Sequence, residues 1–167
     1  NVTLLALDAA GGDTVWSFEV ATGPIGQPAL SSPGLCVVGN VTVYWIDTKK
    51  ALAAARSNPP QPVQPVWSTN AVNPAGALWS AVLIESNLLT VILMVSSNPV
   101  QYTVITLAAQ DGSMVSNGIF AVQLAEQVTP VIGKAPWLGN RQTLSLINSG
   151  AGIWAFPSPF LADSHYN

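Results

Sequence analysis

The stretch that decides the fold is Ala6-Leu7-Asp8-Ala9-Ala10-Gly11-Gly12-Asp13-Thr14-Val15-Trp16, because its pattern returns in degraded form farther along the chain. It predicts a strand that ends at Asp8, a glycine-rich turn and a second strand that carries Trp16. A hairpin of this kind cannot bury its own apolar face, so successive copies must stack on one another. The stretch therefore predicts a repeat protein made of small sheets.

This stretch resembles the tryptophan-docking repeat of quinoprotein-type β-propellers, in which Ala-x-Asp-x-x-Thr-Gly-x-x-x-Trp joins one blade to the next. Ala6, Asp8, Gly12 and Trp16 match the repeat, and Gly11 stands where it usually has Thr. The resemblance implies stacked four-stranded blades with Trp16 between two of them. From its place before a glycine turn, the Asp8 carboxylate is expected to accept backbone N–H bonds and hold that turn.

The later copies keep the rhythm of the first one. The positions of Ala6 and Asp8 return at Trp45 and Asp47, at Thr106 and Ala108, and at Leu146 and Asn148. The intervals between copies are 39, 61 and 40 residues, and two of them match the period of about 40 residues typical of a propeller blade. In the last two copies Ser116 and Phe156 are predicted to replace the tryptophan.

The second copy contains an insertion. Trp16 follows Asp8 by eight residues, whereas the equivalent Trp67 follows Asp47 by twenty. Residues 49–66, which contain these twelve extra positions, include four prolines in nine positions, and prolines cannot join a sheet ladder. We expect a solvent-facing, extended loop within a blade, in which only Ala51–Arg56 has helical character.

The whole chain, residues 1–167, is predicted to be all-β, a partial β-propeller of about three and a half four-stranded antiparallel blades. Short runs rich in Val, Ile, Thr, Tyr and Trp alternate with Gly, Pro, Asn and Ser. Open blades leave unpaired sheet edges. Either missing blades of a longer chain or separate protein chains would complete the ring. The predicted strands are 2–8, 14–20, 27–31, 35–39, 41–47, 64–69, 78–84, 88–96, 101–108, 114–123, 128–133, 142–148 and 152–156.

The charge of the chain is low. Only 8% of its residues are charged, against about a quarter in an average soluble domain, and its net charge is −3. Five basic residues cannot neutralise a run of phosphates, so nucleic acid is not expected as a partner. Lys49-Lys50 is the only basic cluster and is expected to be a solvated pair in a loop. Few charges favour burial against protein partners or display outside the cell.

One apolar stretch and two glycosylation sequons bear on where the protein is located. Residues 77–95 are mostly apolar, but Glu85-Ser86-Asn87 lies at their centre and predicts a hairpin turn rather than a transmembrane helix. Asn1 and Asn40 begin the sequons Asn1-Val2-Thr3 and Asn40-Val41-Thr42, about as many as chance would give. Together with the low charge they favour an extracellular or cell-surface location and possible glycans.

The sequence contains few residues in arrangements that could carry out catalysis or hold a cofactor. The quinoprotein resemblance implies pyrroloquinoline quinone and calcium held by a vicinal disulfide, Glu, Asn and Asp. The single cysteine, Cys36, cannot form that disulfide, and Glu19, Glu85 and Glu126 lack matching partners. The only histidine, His165, lies in a terminal Asp-Ser-His run that cannot adopt triad geometry, and it has no second imidazole or thiolate for a metal. No enzyme activity, cofactor or metal is therefore expected.

The sequence favours a non-catalytic extracellular propeller module, either a structural scaffold or a protein-interaction component of a larger assembly. One alternative is a fragment of a quinone-dependent dehydrogenase whose missing blades carry the active site. Another is a carbohydrate-binding module, since exposed tryptophans can stack on sugars. Inter-blade packing is the preferred interpretation of the remaining tryptophans, namely Trp45, Trp67, Trp79, Trp137 and Trp154. Cys36 is expected to be a buried strand residue.

Overall fold

The structure is a computed structural model that describes residues 2–21, 26–32, 34–39, 41–70, 77–85, 87–97, 100–121, 129–135, 141–148 and 152–157. Within these ranges lie thirteen β-strands and one α-helix. Each strand coincides with a predicted strand, with ends that agree within three residues. The prediction of an all-β fold is confirmed.

The strands form four antiparallel sheets in chain order. The first sheet has two strands, β1 (Val2–Leu7) and β2 (Thr14–Val20). The second has four, β3 (Ala29–Ser31), β4 (Gly34–Val38), β5 (Val43–Asp47) and β6 (Trp67–Thr69). The third has four, β7 (Trp79–Glu85), β8 (Leu88–Ser97), β9 (Val100–Ala108) and β10 (Met114–Ala121). The fourth has three, β11 (Thr129–Ala135), β12 (Arg141–Asn148) and β13 (Gly152–Pro157).

Every described sheet is a meander, in which neighbouring strands of the sheet are consecutive in the chain. The repeated stretch always occupies the last hairpin of its sheet: β1–β2, β5–β6, β9–β10 and β12–β13. This regular placement in successive meanders is the sheet arrangement of a β-propeller segment.

The chain divides into two compact units, Asn1–Gly76 and Ala77–Asn167. The core of the first unit lies between the two-stranded sheet and one face of the four-stranded sheet. Phe18 of β2 meets Tyr44 of β5 edge to face, with ring centroids 5.3 Å apart. Leu4 and Trp16 pack beside them as half-buried members. The buried members of this core are Phe18, Val20, Leu35, Val37, Tyr44, Ile46, Ala51 and Val63.

The insertion in the second copy is more ordered than predicted. Helix α1 (Thr48–Arg56) fills its first half, so Lys49 and Lys50 lie on a helix rather than in a loop. Asp47 caps the helix, and Ala51 and Val63 are buried in the core with 3% and 7% exposure. The prolines do exclude this segment from the sheet ladder. Val63, which lies among these prolines, nevertheless anchors the extended half in the core. Burial of its side chain stabilises this position even though the segment does not pair with a strand.

In the second unit, β7 and β8 form the predicted hairpin instead of a membrane-spanning helix, with Glu85 paired to Leu88. Strand β8 is paired on both edges, and its residues Leu89–Met94 are all buried. A strand buried on both faces needs no polar alternation, which explains its continuous apolar run. Among the described residues, no helix is long and apolar enough to cross a membrane.

Candidate functional site: the repeated turns and the tryptophan pair

The turn after β1 is held by the Asp8 carboxylate. Its Oδ1 atom accepts hydrogen bonds from the backbone N–H groups of Ala10 at 2.9 Å and Gly11 at 2.8 Å. The Gly11 bond first, and then the Ala10 bond, lower the pKa of Asp8 below its ordinary value of 3.8, because both N–H groups favour the charged form. Gly12 closes the turn with a φ of +74°, a conformation that side chains with a Cβ disfavour.

Asp47 makes the same pair of contacts at the start of the insertion. Its Oδ1 atom accepts from the backbone N–H groups of Lys49 and Lys50, both at 2.9 Å. In both copies the donors lie two and three residues after the aspartate. Here these N–H groups belong to the first turn of α1, so the carboxylate acts as a helix N-cap. One carboxylate position therefore begins a tight turn in one copy and a helix in the next.

The third copy keeps the backbone of the turn without the aspartate. Ala108 N–H donates to Ser113 O at 2.9 Å, and Gly112 N–H donates to Ala108 O at 2.9 Å. In the first copy, Asp8 N–H donates to Asp13 O at 2.8 Å, and Gly12 N–H donates to Asp8 O at 2.8 Å. Gly112 also has a φ of +74°. The same pair of backbone hydrogen bonds and the same glycine φ show that the two turns have the same conformation.

A different carboxylate supports this third turn. Asp111 Oδ1 accepts from the backbone N–H of Ser113 at 2.9 Å. That bond first, and then a bond with the Ser113 side chain, lower the pKa of Asp111 below 3.8. In the first copy the supporting carboxylate lies at the start of the turn, whereas in the third copy it lies at the tip, two residues before its donor Ser113. No spacing rule copied from the first repeat would find this replacement.

The tryptophan position faces the alanine position across each hairpin. The strand register pairs Ala6 with Trp16, Trp45 with Trp67, Thr106 with Ser116, and Leu146 with Trp154. In the fourth copy the prediction of Phe156 at this position is wrong, since Phe156 pairs with Leu144. The last turn is shorter, because Asn148 already pairs with Gly152, and the fixed spacing taken from the first copy overshoots by two residues.

Trp45 and Trp67 form a stacked pair on one face of the second sheet. Their ring centroids lie 6.4 Å apart and their planes differ by 12°. The Trp45 indole also covers the backbone of Gly34, where a Cβ atom would overlap the ring. Trp16 lies on the first sheet and packs half-buried beside the core. The structure thus places Trp45 and Trp67 together and Trp16 in a separate contact.

Other predicted residues fall in different places. Asn1, Asn40, Glu126, Trp137 and His165 lie outside the described residues, so neither sequon asparagine is described. Glu19 is exposed on β2. Trp79, Glu85 and Trp154 are described through the backbone pairing of β7 and β13. Thr42, the last residue of the second sequon, donates its hydroxyl to Asn70 Oδ1 at 3.0 Å.

The described residues do not fit a quinone and calcium centre. Cys36 is fully buried in β4, and burial raises the pKa of its thiol to about 12. It is a free cysteine, as expected of a small apolar strand residue. Within the described ranges, no three residues among His, Cys, Asp and Glu converge in a group that could hold a metal ion. These residues offer no donor set for the cofactor that the resemblance implies.

Comparisons with known proteins give no family and a distant structural similarity. No protein-family model matches the chain, and no curated protein sequence matches it. Among solved structures it is similar to BamB from Moraxella catarrhalis, with 15% sequence identity and a TM-score of 0.48. That similarity covers 93% of this chain but 46% of the BamB chain, so the chain spans about half of that protein's length.

Proposed function

We propose that the chain is a non-catalytic β-propeller module that serves as a structural scaffold or protein-interaction component of a larger extracellular or cell-surface assembly. One observation carries this proposal: the first sheet buries one face in the core and leaves Leu5 and Leu7 exposed on the other face, beside Ser17 and Glu19. Leu5 and Leu7 point away from the core and are 52% and 57% exposed. A sheet with this composition on its open face is typical of a protein-contact surface.

The edge of the same sheet supports the proposal. Among the described residues, β1 pairs only with β2, so its other edge carries N–H and C=O groups without a ladder partner. The equivalent strand β5 in the second sheet is paired on both sides, with β4 and with β6. Such a strand edge can pair with a further strand, supplied by the same protein or by a partner. Covering each of the half-exposed leucines Leu5 and Leu7 would contribute about 1 kcal/mol.

The low charge of the chain agrees with an assembly role. Only 8% of its residues are charged, and mean hydropathy is +0.40. Surfaces of this kind are stabilised by burial against neighbours. The proposed extracellular location would allow glycosylation of the sequons at Asn1 and Asn40, since such sites are used only along the secretory route.

Native mass spectrometry of the tagged chain purified from its natural source tests this function. We expect defined complexes heavier than the polypeptide alone, and we expect Leu5→Ser combined with Leu7→Ser to release the partner. Leu30→Ser is the matched control, because Leu30 is 72% exposed on a different sheet. A wild-type chain that is always free of other protein would contradict the scaffold role. A bound quinone that absorbs visible light would favour the dehydrogenase fragment instead.

A further inference from the structure

Helix α1 concentrates positive charge in a chain that is otherwise acidic. It carries Lys49, Lys50 and Arg56, which are three of the five basic residues in a chain of net charge −3. All three side chains are exposed, whereas Ala51 on the other side of the helix is buried in the core. The core therefore fixes the helix in an orientation that presents its cations to solvent.

Lys49 and Arg56 share one face of the helix over two turns, and Lys50 lies about 100° around the axis from Lys49. Lys49 and Arg56 are seven residues apart, which places them on the same face and about 10 Å apart along the axis. Within the described part of the chain, none of the three forms an ion pair, and the first turn of α1 contains no acidic residue. The Asp47 carboxylate already balances the helix dipole at this end, so the side-chain charges of the two lysines are available to an anionic group in solvent.

A pocket adjoins these cations. It has a volume of about 330 Å³ and lies between the helix and the extended half of the insertion. Lys50 and Ala51 line one side, and Gln64, Pro65 and Val66 line the other. Val66 is 44% exposed, so part of the lining is apolar surface open to a ligand. Lys50 lines the pocket and follows Lys49 in the chain, so the pocket lies next to the face that carries Lys49 and Arg56.

We infer that this insertion surface, formed by Lys49, Lys50, Arg56 and the adjoining pocket, binds an acidic segment of a partner protein. Carboxylates of that segment lie opposite the three cations, and one apolar side chain enters the pocket beside Val66. Charge complementarity selects the acidic partner, and the apolar lining selects a peptide rather than a bare anion. The inference rests on the proposed role as a protein-interaction module.

The helix N-terminus is not itself the binding site, because Asp47 already accepts two of its N–H groups. A nucleic acid fits this surface less well than an acidic peptide does. Three cations neutralise few phosphates, and a pocket with Pro65 and Val66 in its lining offers no aromatic ring on which a base could stack.

The test uses the full chain and a fluorescein-labelled peptide of twelve glutamates and one central leucine. We expect binding that weakens at least fivefold when NaCl rises from 50 to 500 mM, because the charges are exposed. Lys49→Gln combined with Lys50→Gln should weaken binding at least tenfold. Val66→Gln should weaken it about threefold, and the same peptide with serine in place of leucine should reproduce that loss.

Lys134→Gln combined with Arg141→Gln is the matched control, since it removes two positive charges elsewhere in the chain. The control should change binding by less than twofold. Equal losses in the two double variants, no binding of the peptide, or tighter binding of a twelve-nucleotide single-stranded DNA would overturn the inference. If Lys49→Gln with Lys50→Gln leaves the natural complexes intact, this surface is wrong while the scaffold function stands. If the wild-type chain forms no complexes, the scaffold function itself fails.

Discussion

Gly12 and Gly112 have the same backbone φ of +74°, although they belong to different sheets. Each donates its N–H to the carbonyl of the residue four positions earlier, Asp8 at 2.8 Å for Gly12 and Ala108 at 2.9 Å for Gly112. The sequence between strand and glycine differs, with Asp8 at the start of one turn and Ala108 at the start of the other. The glycine conformation is thus the shared element of the two turns.

Gly12→Ala is expected to destabilise the chain by about 1 kcal/mol, the cost of a left-handed residue with a Cβ atom. No atom lies within 4 Å of the position that this Cβ would take, so backbone strain is the only penalty. Gly12→Asn should cost less, because asparagine tolerates this conformation. Urea unfolding measures both values. Equal stabilities of the wild type and Gly12→Ala would contradict the turn conformation.

Trp16→Ala is expected to lower the free energy of unfolding by about 3 kcal/mol, the lower end of the cost of truncating a core aromatic residue. The lower end applies because Trp16 is half-buried beside the core rather than enclosed by it. Its exposed neighbour Ser17 provides the control, and Ser17→Ala should change stability by less than about 0.5 kcal/mol. If Trp16→Ala unfolds at the wild-type urea concentration, Trp16 does not stabilise the first sheet.

Gly34→Ala is expected to cost about 1–3 kcal/mol through overpacking, since the added methyl group would overlap the Trp45 indole. The same change in a Trp45→Ala background should cost much less, because the obstructing ring is gone. A double-mutant cycle from urea unfolding measures this coupling. Additive costs would show that Gly34 and Trp45 do not meet.

Stability should depend on pH through Asp8 and Asp111. Folding lowers the pKa of each carboxyl group below its ordinary value of 3.8. Each ionised carboxylate therefore contributes to the stability of the folded chain at pH values above 3.8. That contribution is lost as pH falls through the folded pKa, when the carboxylate takes up a proton in both states. The stability difference between the wild type and Asp8→Asn should therefore be largest near pH 7 and shrink below pH 4.

Unfolding in urea at several pH values between 7 and 3 measures this difference, and Asp111→Asn should follow the same pattern. Ser17→Ala carries no titratable change, so its profile should run parallel to that of the wild type. A constant difference between the wild type and Asp8→Asn at all pH values would show that the hydrogen bonds do not depend on the charge.

Much of the fold follows from local sequence. The thirteen strands were predictable because β-branched and aromatic runs alternate with Gly, Pro, Asn and Ser, and each run is long enough for one strand. The burial of strand β8 on both faces was also predictable, because its apolar run shows no alternation with polar residues. The order of strands in each sheet follows because short connections favour antiparallel neighbours.

The rest depended on contacts that spacing does not encode. Proline content predicted an extended insertion, but Asp47 caps a helix there, and Val63 anchors the extended half in the core. A fixed spacing placed Phe156 opposite Leu146, whereas a shorter turn puts Trp154 there. The basic surface of α1 was missed because Lys49-Lys50 was predicted to lie in a loop, separate from Arg56. The signal that could have found it was the spacing of seven residues between Lys49 and Arg56, which places both on one face of a helix.

The equivalence of Asp8 and Asp47 has a consequence for how this chain can change. The strands on either side of the insertion keep the cross-strand pair Trp45 and Trp67, even though the connection between them is twelve residues longer than in the first copy. The aspartate sets the direction in which the chain leaves the strand, and the paired strands set where it must return. Between those two constraints the sheet accepts extra sequence without losing its register. Each last hairpin is thus a position at which such a protein can gain a new surface, by evolution or by grafting, while its sheets stay as they are.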